Sequence, residues 1–88
     1  MKKFKFVDAQ KMAKEHPGTF EAPSKEDLKA LKKGDTVKVC INGERFWTVI
    51  EKIEKNKIVA LVANILISTP AELGDRITFE KRHVYSIF

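Results

Sequence analysis

The dipeptide Asn42-Gly43 constrains this fold more than any other feature of the chain. It separates Thr36-Val37-Lys38-Val39-Cys40-Ile41 from Glu44-Arg45-Phe46-Trp47-Thr48-Val49-Ile50, two runs rich in β-branched and aromatic residues. A type I′ turn needs positive φ at both central residues, which asparagine and glycine tolerate, so the dipeptide predicts a hairpin with a two-residue loop. That loop sets Ile41 opposite Glu44, Cys40 opposite Arg45, Val39 opposite Phe46 and Lys38 opposite Trp47. A second turn is expected over Glu54–Lys57. With Lys55-Asn56 as its loop, Ile53 faces Ile58, Ile50 faces Leu61 and Trp47 faces Asn64. The result is a three-stranded meander from Lys33 to Ile67.

Side chains alternate across a strand, so this register sorts the meander into two faces. Face one gathers Val37, Val39, Ile41, Phe46, Thr48, Ile50, Val59, Leu61, Ala63, Ile65 and Ile67, and reads as a core. Face two is mixed. Across its middle runs a row of Lys38, Trp47 and Asn64, with Arg45 diagonal to it, and these four residues are the candidate binding site. The run Ile58–Ile67 is apolar on both faces except at Asn64. Such a strand is expected to be central and covered on both sides, with the N-terminal helices as the cover for face two and Trp47 as core beneath them.

Two helices are expected before the meander. Asp8 reads as an N-cap for a helix from Ala9 to about His16, stopped by Pro17-Gly18. Ser24 reads as a second N-cap, with Glu26 and Asp27 in the first turn, Leu28 and Leu31 inward, Lys32-Lys33 in the last turn and Gly34 as the left-handed C-terminal cap. Between them Phe20 sits in an extended linker and is expected to fill a core gap. After Ile67 comes a loop, then Arg76–Glu80 as a fourth strand and His83–Phe88 as a fifth strand or terminal turn. Leu31-Lys32-Lys33-Gly34-Asp35 is echoed by Leu73-Gly74-Asp75, each leading into a strand. These elements predict one α+β domain over residues 1–88. Residues 1–33 form its helical part, and residues 34–88 form a strongly bent, four- to five-stranded antiparallel sheet near an SH3-like barrel.

Chemistry is mainly excluded. His16, His83 and a lone Cys40 supply no metal-ligand spacing, and no nucleophile motif or glycine-rich phosphate loop is present. The expectation is therefore a protein that is not an enzyme and carries no cofactor and no metal. Cys40 faces Arg45, and a cation lowers a thiol's pKa, but an inert buried strand cysteine is the simpler reading. One cysteine cannot form an internal disulfide, which suits a reducing cytoplasm, and no apolar run approaches the ~20 residues of a membrane span. The net charge of +5 is uneven: residues 1–33 hold nine lysines against five acids, residues 34–88 eight basic against seven acidic residues. Such an excess favours anionic partners in a general way.

Several runs together resemble the YegJ-like family of bacterial and phage proteins: Gly34-Asp35-Thr36-Val37-Lys38-Val39, Glu44-Arg45-Phe46-Trp47, Val62-Ala63-Asn64, Leu73-Gly74-Asp75-Arg76-Ile77-Thr78-Phe79 and His83-Val84-Tyr85. The likeness spans about residues 28–88 and rests on Glu44, Trp47, Asn64 and Gly74-Asp75 in that order. The family often has Asn-Asp or Asn-Xaa-Pro where this chain has Asn64-Ile65-Leu66. The resemblance implies a fold, and a phage or prophage setting, but no activity.

The reading that follows is a small non-enzymatic module that binds another protein through face two or an exposed sheet edge. The alternative is weak nucleic-acid binding, with the basic N-terminal helices and Lys38, Arg45 and Trp47 supplying charge and a stacking platform. The partner's identity and the oligomeric state are not legible in these residues.

Overall fold

The computed structural model describes residues 4–88; Lys2 and Lys3, part of the N-terminal basic excess, lie outside them. The elements are α1 (Ala9–Glu15), α2 (Lys25–Lys29), β1 (Thr36–Ile41), β2 (Glu44–Glu54), β3 (Lys57–Val62), β4 (Arg76–Glu80), a 3₁₀ turn (Lys81–His83) and β5 (Ser86–Ile87). The strands form one antiparallel sheet in the order β4-β3-β2-β1-β5, so β4 and β5 are its edges.

The first hairpin follows the predicted register pair by pair, from Ile41 opposite Glu44 to Lys38 opposite Trp47. Asn42 and Gly43 take φ of 48° and 82°, as the turn requires. The second turn also forms as expected, with Glu54 opposite Lys57 and Ile53 opposite Ile58. Beyond it the expected register fails. A β-bulge between Ile50 and Lys52 leaves Glu51 as an extra residue on β2, so Ile50 faces Ala60 rather than Leu61, and Thr48 faces Val62. A bulge shifts pairing by one residue, and a one-residue shift turns every later side chain over.

The face assignment of β3 is therefore reversed. Ile58, Ala60 and Val62 point into the core, with Val37, Val39, Ile41, Phe46 and Ile50. Val59 and Leu61, expected inside, lie on the other face and are only half-buried. Phe79 and Ile77 of β4, opposite Ile58 and Ala60, complete the same side. β3 ends at Val62, and Ile65 and Ile67, expected in the core strand, are 84% and 96% exposed in the loop that follows.

α2 and the residues just after it pack on the core face rather than on face two, and α1 packs against the 3₁₀ turn. Leu28 and Leu31 join the core cluster that holds Val37, Val39 and Phe46. Asp8 caps α1, accepting the Lys11 N–H at 3.0 Å, and Ser24 caps α2, accepting the Asp27 N–H at 3.1 Å. α2 stops at Lys29, one turn short of the expected Lys32-Lys33, because the chain is turning into β1 there. Asp35 Oδ2 accepts the Lys32 N–H at 3.0 Å, the Lys32 carbonyl accepts the Asp35 N–H at 3.1 Å, and Gly34 at φ 93° donates to the Ile50 carbonyl at 2.8 Å.

The Gly74-Asp75 echo is built in the same way. Asp75 Oδ2 accepts the Glu72 N–H at 2.9 Å, the Glu72 carbonyl accepts the Asp75 N–H at 3.0 Å, and Gly74 at φ 90° donates to the Val62 carbonyl at 2.8 Å. In both turns the aspartate closes the loop on itself while glycine takes the left-handed conformation that lets its N–H reach a neighbouring strand. One turn feeds β1 onto β2 and the other feeds β4 onto β3.

Candidate functional site

Face two is organised by β1, β2 and the C-terminal residues. Lys38 and Trp47 are cross-strand partners, and Lys38 Nζ lies 4.7 Å from the Trp47 ring centroid. The edge-on ring of Phe88, 5.8 Å away at 85°, contacts Trp47 as well. Phe88 is held there because its N–H donates to the Thr36 carbonyl at 2.9 Å, which extends the β5–β1 pairing. Phe88 is itself 93% exposed, Val49 is exposed, and Trp47 and Leu61 are half-buried.

Arg45 is drawn to a different ring. Its guanidinium lies 4.5 Å over Tyr85, whose other contact is Phe20 at 4.4 Å. Tyr85 is fixed by its N–H, which donates to the Lys38 carbonyl at 2.7 Å. Phe20 is buried, but against Tyr85 and outside the main core cluster, so the linker it belongs to covers only this corner of face two. Cys40, opposite Arg45, is 4% exposed. Among the described residues neither Lys38 nor Arg45 has a carboxylate within ion-pair distance. By contrast Arg76 is matched to Glu51 at 2.7 Å, and Lys52 to Glu54 at 2.5 Å. The sheet face thus presents two cations resting on aromatic rings, which favours them by electrostatic attraction to the ring face.

Asn64 does not extend this row. Its Oδ1 accepts the Trp47 backbone N–H at 2.5 Å, while the Ala63 N–H donates to the Trp47 carbonyl at 2.9 Å. The side-chain oxygen stands where the next strand carbonyl would be, so Asn64 finishes the β2–β3 ladder as the chain leaves it. The amide that an apolar strand must satisfy is satisfied by the sheet's own backbone.

Glu44, which the sequence offered only as part of a diagnostic run, has a more demanding role. Its carboxylate accepts backbone N–H groups from Ile67 at 2.6 Å, Thr69 at 2.7 Å and Ser68 at 3.2 Å. The Thr69 hydroxyl adds the largest single pull on its acidity, followed by the Ile67 amide, and together these bonds lower the pKa from about 4.5 to about 2. The carboxylate thus fastens the loop after β3 to the start of β2, 23 to 25 residues away in sequence, where no local pattern reveals it.

The remaining titratable cluster is at the other end. Arg82 bridges Asp8 at 2.8 Å and Glu80 at 3.2 Å, which ties the α1 cap to the 3₁₀ turn. It lowers the pKa of Glu80, while that of Asp8 is lowered, against its desolvation, by the Lys11 amide and then by Arg82. His83 is buried against Phe6, and its Nδ1 accepts the Glu80 N–H at 3.0 Å; desolvation lowers its pKa. Among the described residues no group of three His, Cys, Asp or Glu side chains gathers in a way that would hold a metal ion, and no helix is long and apolar enough to cross a membrane. Comparison with protein-family models, with curated proteins and with solved structures finds no match for this chain.

Proposed function

We propose that this chain is a small non-enzymatic binding module. In this reading its sheet is a variant of the SH3-like barrel, and face two receives an acidic protein segment carrying an apolar anchor. The observation that supports this is the pairing of Lys38 with Trp47 and of Arg45 with Tyr85 on a face the helices leave uncovered. Among the described residues neither cation has a carboxylate partner, so a partner protein's acid gains a charge-assisted contact without displacing one. Exposed Val49 and Phe88 beside half-buried Trp47 supply the apolar ground for the anchor. A reducing, cytoplasmic setting suits the single buried thiol of Cys40.

Kinship with the YegJ-like family belongs to the same reading. Three of the features that carry that resemblance, Glu44, Asn64 and Gly74, all tie the 63–75 segment to β2 and β3. A shared structural device of this kind supports a shared fold and leaves binding to the surface around it.

Selection of a random peptide library on the immobilised protein tests the function. Acidic peptides with one aromatic or aliphatic anchor are expected, and their binding should be lost on the Lys38→Glu/Arg45→Glu double variant. Peptides that bind the variant equally well would refute the use of face two. Random single-stranded oligonucleotides should bind only in the ~10⁻⁴–10⁻⁶ M range at physiological salt, with affinity falling steeply as salt rises. Sub-micromolar, sequence-selective binding would replace the protein-partner reading with a nucleic-acid one.

A further inference from the structure

A second surface feature lies away from face two. Between α2, the 3₁₀ turn and the β2–β3 turn is a cleft of about 390 Å³, within the ~300–1,000 Å³ range of small-molecule sites. Lys25 and Lys29 line it from α2, Lys81 and Arg82 from the 3₁₀ turn, and Leu28 gives it an apolar floor. Its one carboxylate, Glu80, is bound by Arg82, and Arg82 is in turn shared with Asp8. Lys25, Lys29 and Lys81 form no ion pair among the described residues.

That arrangement is unfavourable in isolation. Lys25 and Lys29 are spaced i, i+4, which puts like charges on one helix face and destabilises a helix, and α2 is only five residues long. Lys81 brings a third ammonium to the same space. Aligned positive charge around a low-dielectric floor focuses potential and concentrates anions.

We propose that this cleft binds a small phosphorylated molecule, its phosphate held by Lys25, Lys29 and Lys81 and its apolar body lying over Leu28. A phosphate suits three point-charge donors because it offers several oxygens and up to two negative charges, whereas a carboxylate leaves most of the excess uncompensated. The site shares no residue with the Lys38–Arg45 surface, so either assignment stands or falls without the other.

Phenyl phosphate, inorganic phosphate and benzoate are the probes, titrated at fixed ionic strength into ¹⁵N-labelled full-length protein and followed by amide chemical shifts. Phenyl phosphate should give saturable shifts confined to the amides around Lys25, Lys29, Asn56 and Lys81. It should bind about tenfold or more tightly than either other probe. The Lys29→Gln/Lys81→Gln double variant should lose about tenfold or more in phenyl phosphate affinity, because two charge-assisted contacts are removed. Its unchanged spectrum elsewhere shows that the fold is intact. Equal affinity for all three probes, shifts spread over lysines throughout the protein, or undiminished binding to the double variant would overturn the proposal. Should that variant disturb the fold, the exposed Lys25→Gln change decides alone, by a loss of about threefold or more for the one contact removed, and undiminished binding overturns the proposal.

Discussion

Replacing Trp47 with alanine separates a core role from a surface role, and the structure fixes the expected size. A fully buried tryptophan costs ~3–5 kcal/mol on truncation, which would leave a domain of ~5–15 kcal/mol barely folded. Trp47 is half-buried on face two, outside the core cluster. What it loses is the Lys38 contact, about 0.5–1 kcal/mol at an exposed site, the edge-on Phe88 contact, about 0.5–1.5 kcal/mol, and part of its own burial. The expected loss is about 2 kcal/mol, or ~8–16 °C in Tm for a chain of this length. Thermal unfolding must be followed by circular dichroism, since Trp47 is the only tryptophan. In the native wild type, iodide quenching relative to that of free tryptophan should exceed caesium quenching expressed the same way, because the Lys38 ammonium beside the ring draws in the anion and repels the cation. Lys38→Met should narrow that normalised difference. A loss above about 3 kcal/mol on truncation, or equal normalised quenching by the two ions, would refute the assignment of Trp47 to an open, cation-flanked face.

Two further outcomes concern the segment after β3. Glu44→Gln keeps the shape but replaces a carboxylate with a group whose NH₂ opposes the amides it faced, so amide exchange at Ile67, Ser68 and Thr69 should accelerate while the β1–β2 hairpin stays protected. Glu44's folded pKa of about 2 lies below its ordinary value near 4.5. Its contribution is therefore complete above that ordinary value and is lost as pH falls toward 2. The Tm gap between wild type and Glu44→Gln should be constant above about pH 5 and close on acidification, and a gap that widens instead would contradict the geometry. Asn64→Leu strands the Trp47 N–H at the end of the ladder and should cost about 1–3 kcal/mol in urea unfolding, whereas Asn64→Asp retains the acceptor and should cost less; equal losses would show that the oxygen is not what matters.

The first hairpin was legible because Asn42-Gly43 names its own turn type and the two flanking runs alternate in step with it. The second strand pair was only half legible. Ile58-Val59-Ala60-Leu61-Val62 is apolar on either side, so its pattern carries no phase, and the phase was set by a bulge at Glu51 that no glycine or proline marks. The error in β3 then propagated into the covering layer, since Leu28 of α2 and Leu31 just after it, assigned to face two, in fact pack on Ala60's side. Within the site, Lys38, Arg45 and Trp47 were placed on one face by the hairpin alone. Tyr85 and Phe88, the rings that complete it, were missed because a two-residue strand has no period to detect. Asn64 was visible as a polar residue in an apolar run and Glu44 only as part of a diagnostic run, and the backbone partners of both depend on the path of the chain and cannot be read from spacing.

The Glu51 bulge has a consequence for how the molecule reaches this state. β3 could dock either way up, since each side of it offers a similar amount of hydrocarbon. The extra residue acts as a parity bit: present, it admits Ile58, Ala60 and Val62; absent, it would admit Val59 and Leu61. A chain that zips the second hairpin from its turn before the bulge forms would meet the first hairpin out of step. It would have to unzip to correct itself, because strands cannot slide by one residue without breaking every bond between them. The Glu51–Arg76 ion pair, made to β4 across β3, then ties the extra residue itself to the far edge of the sheet.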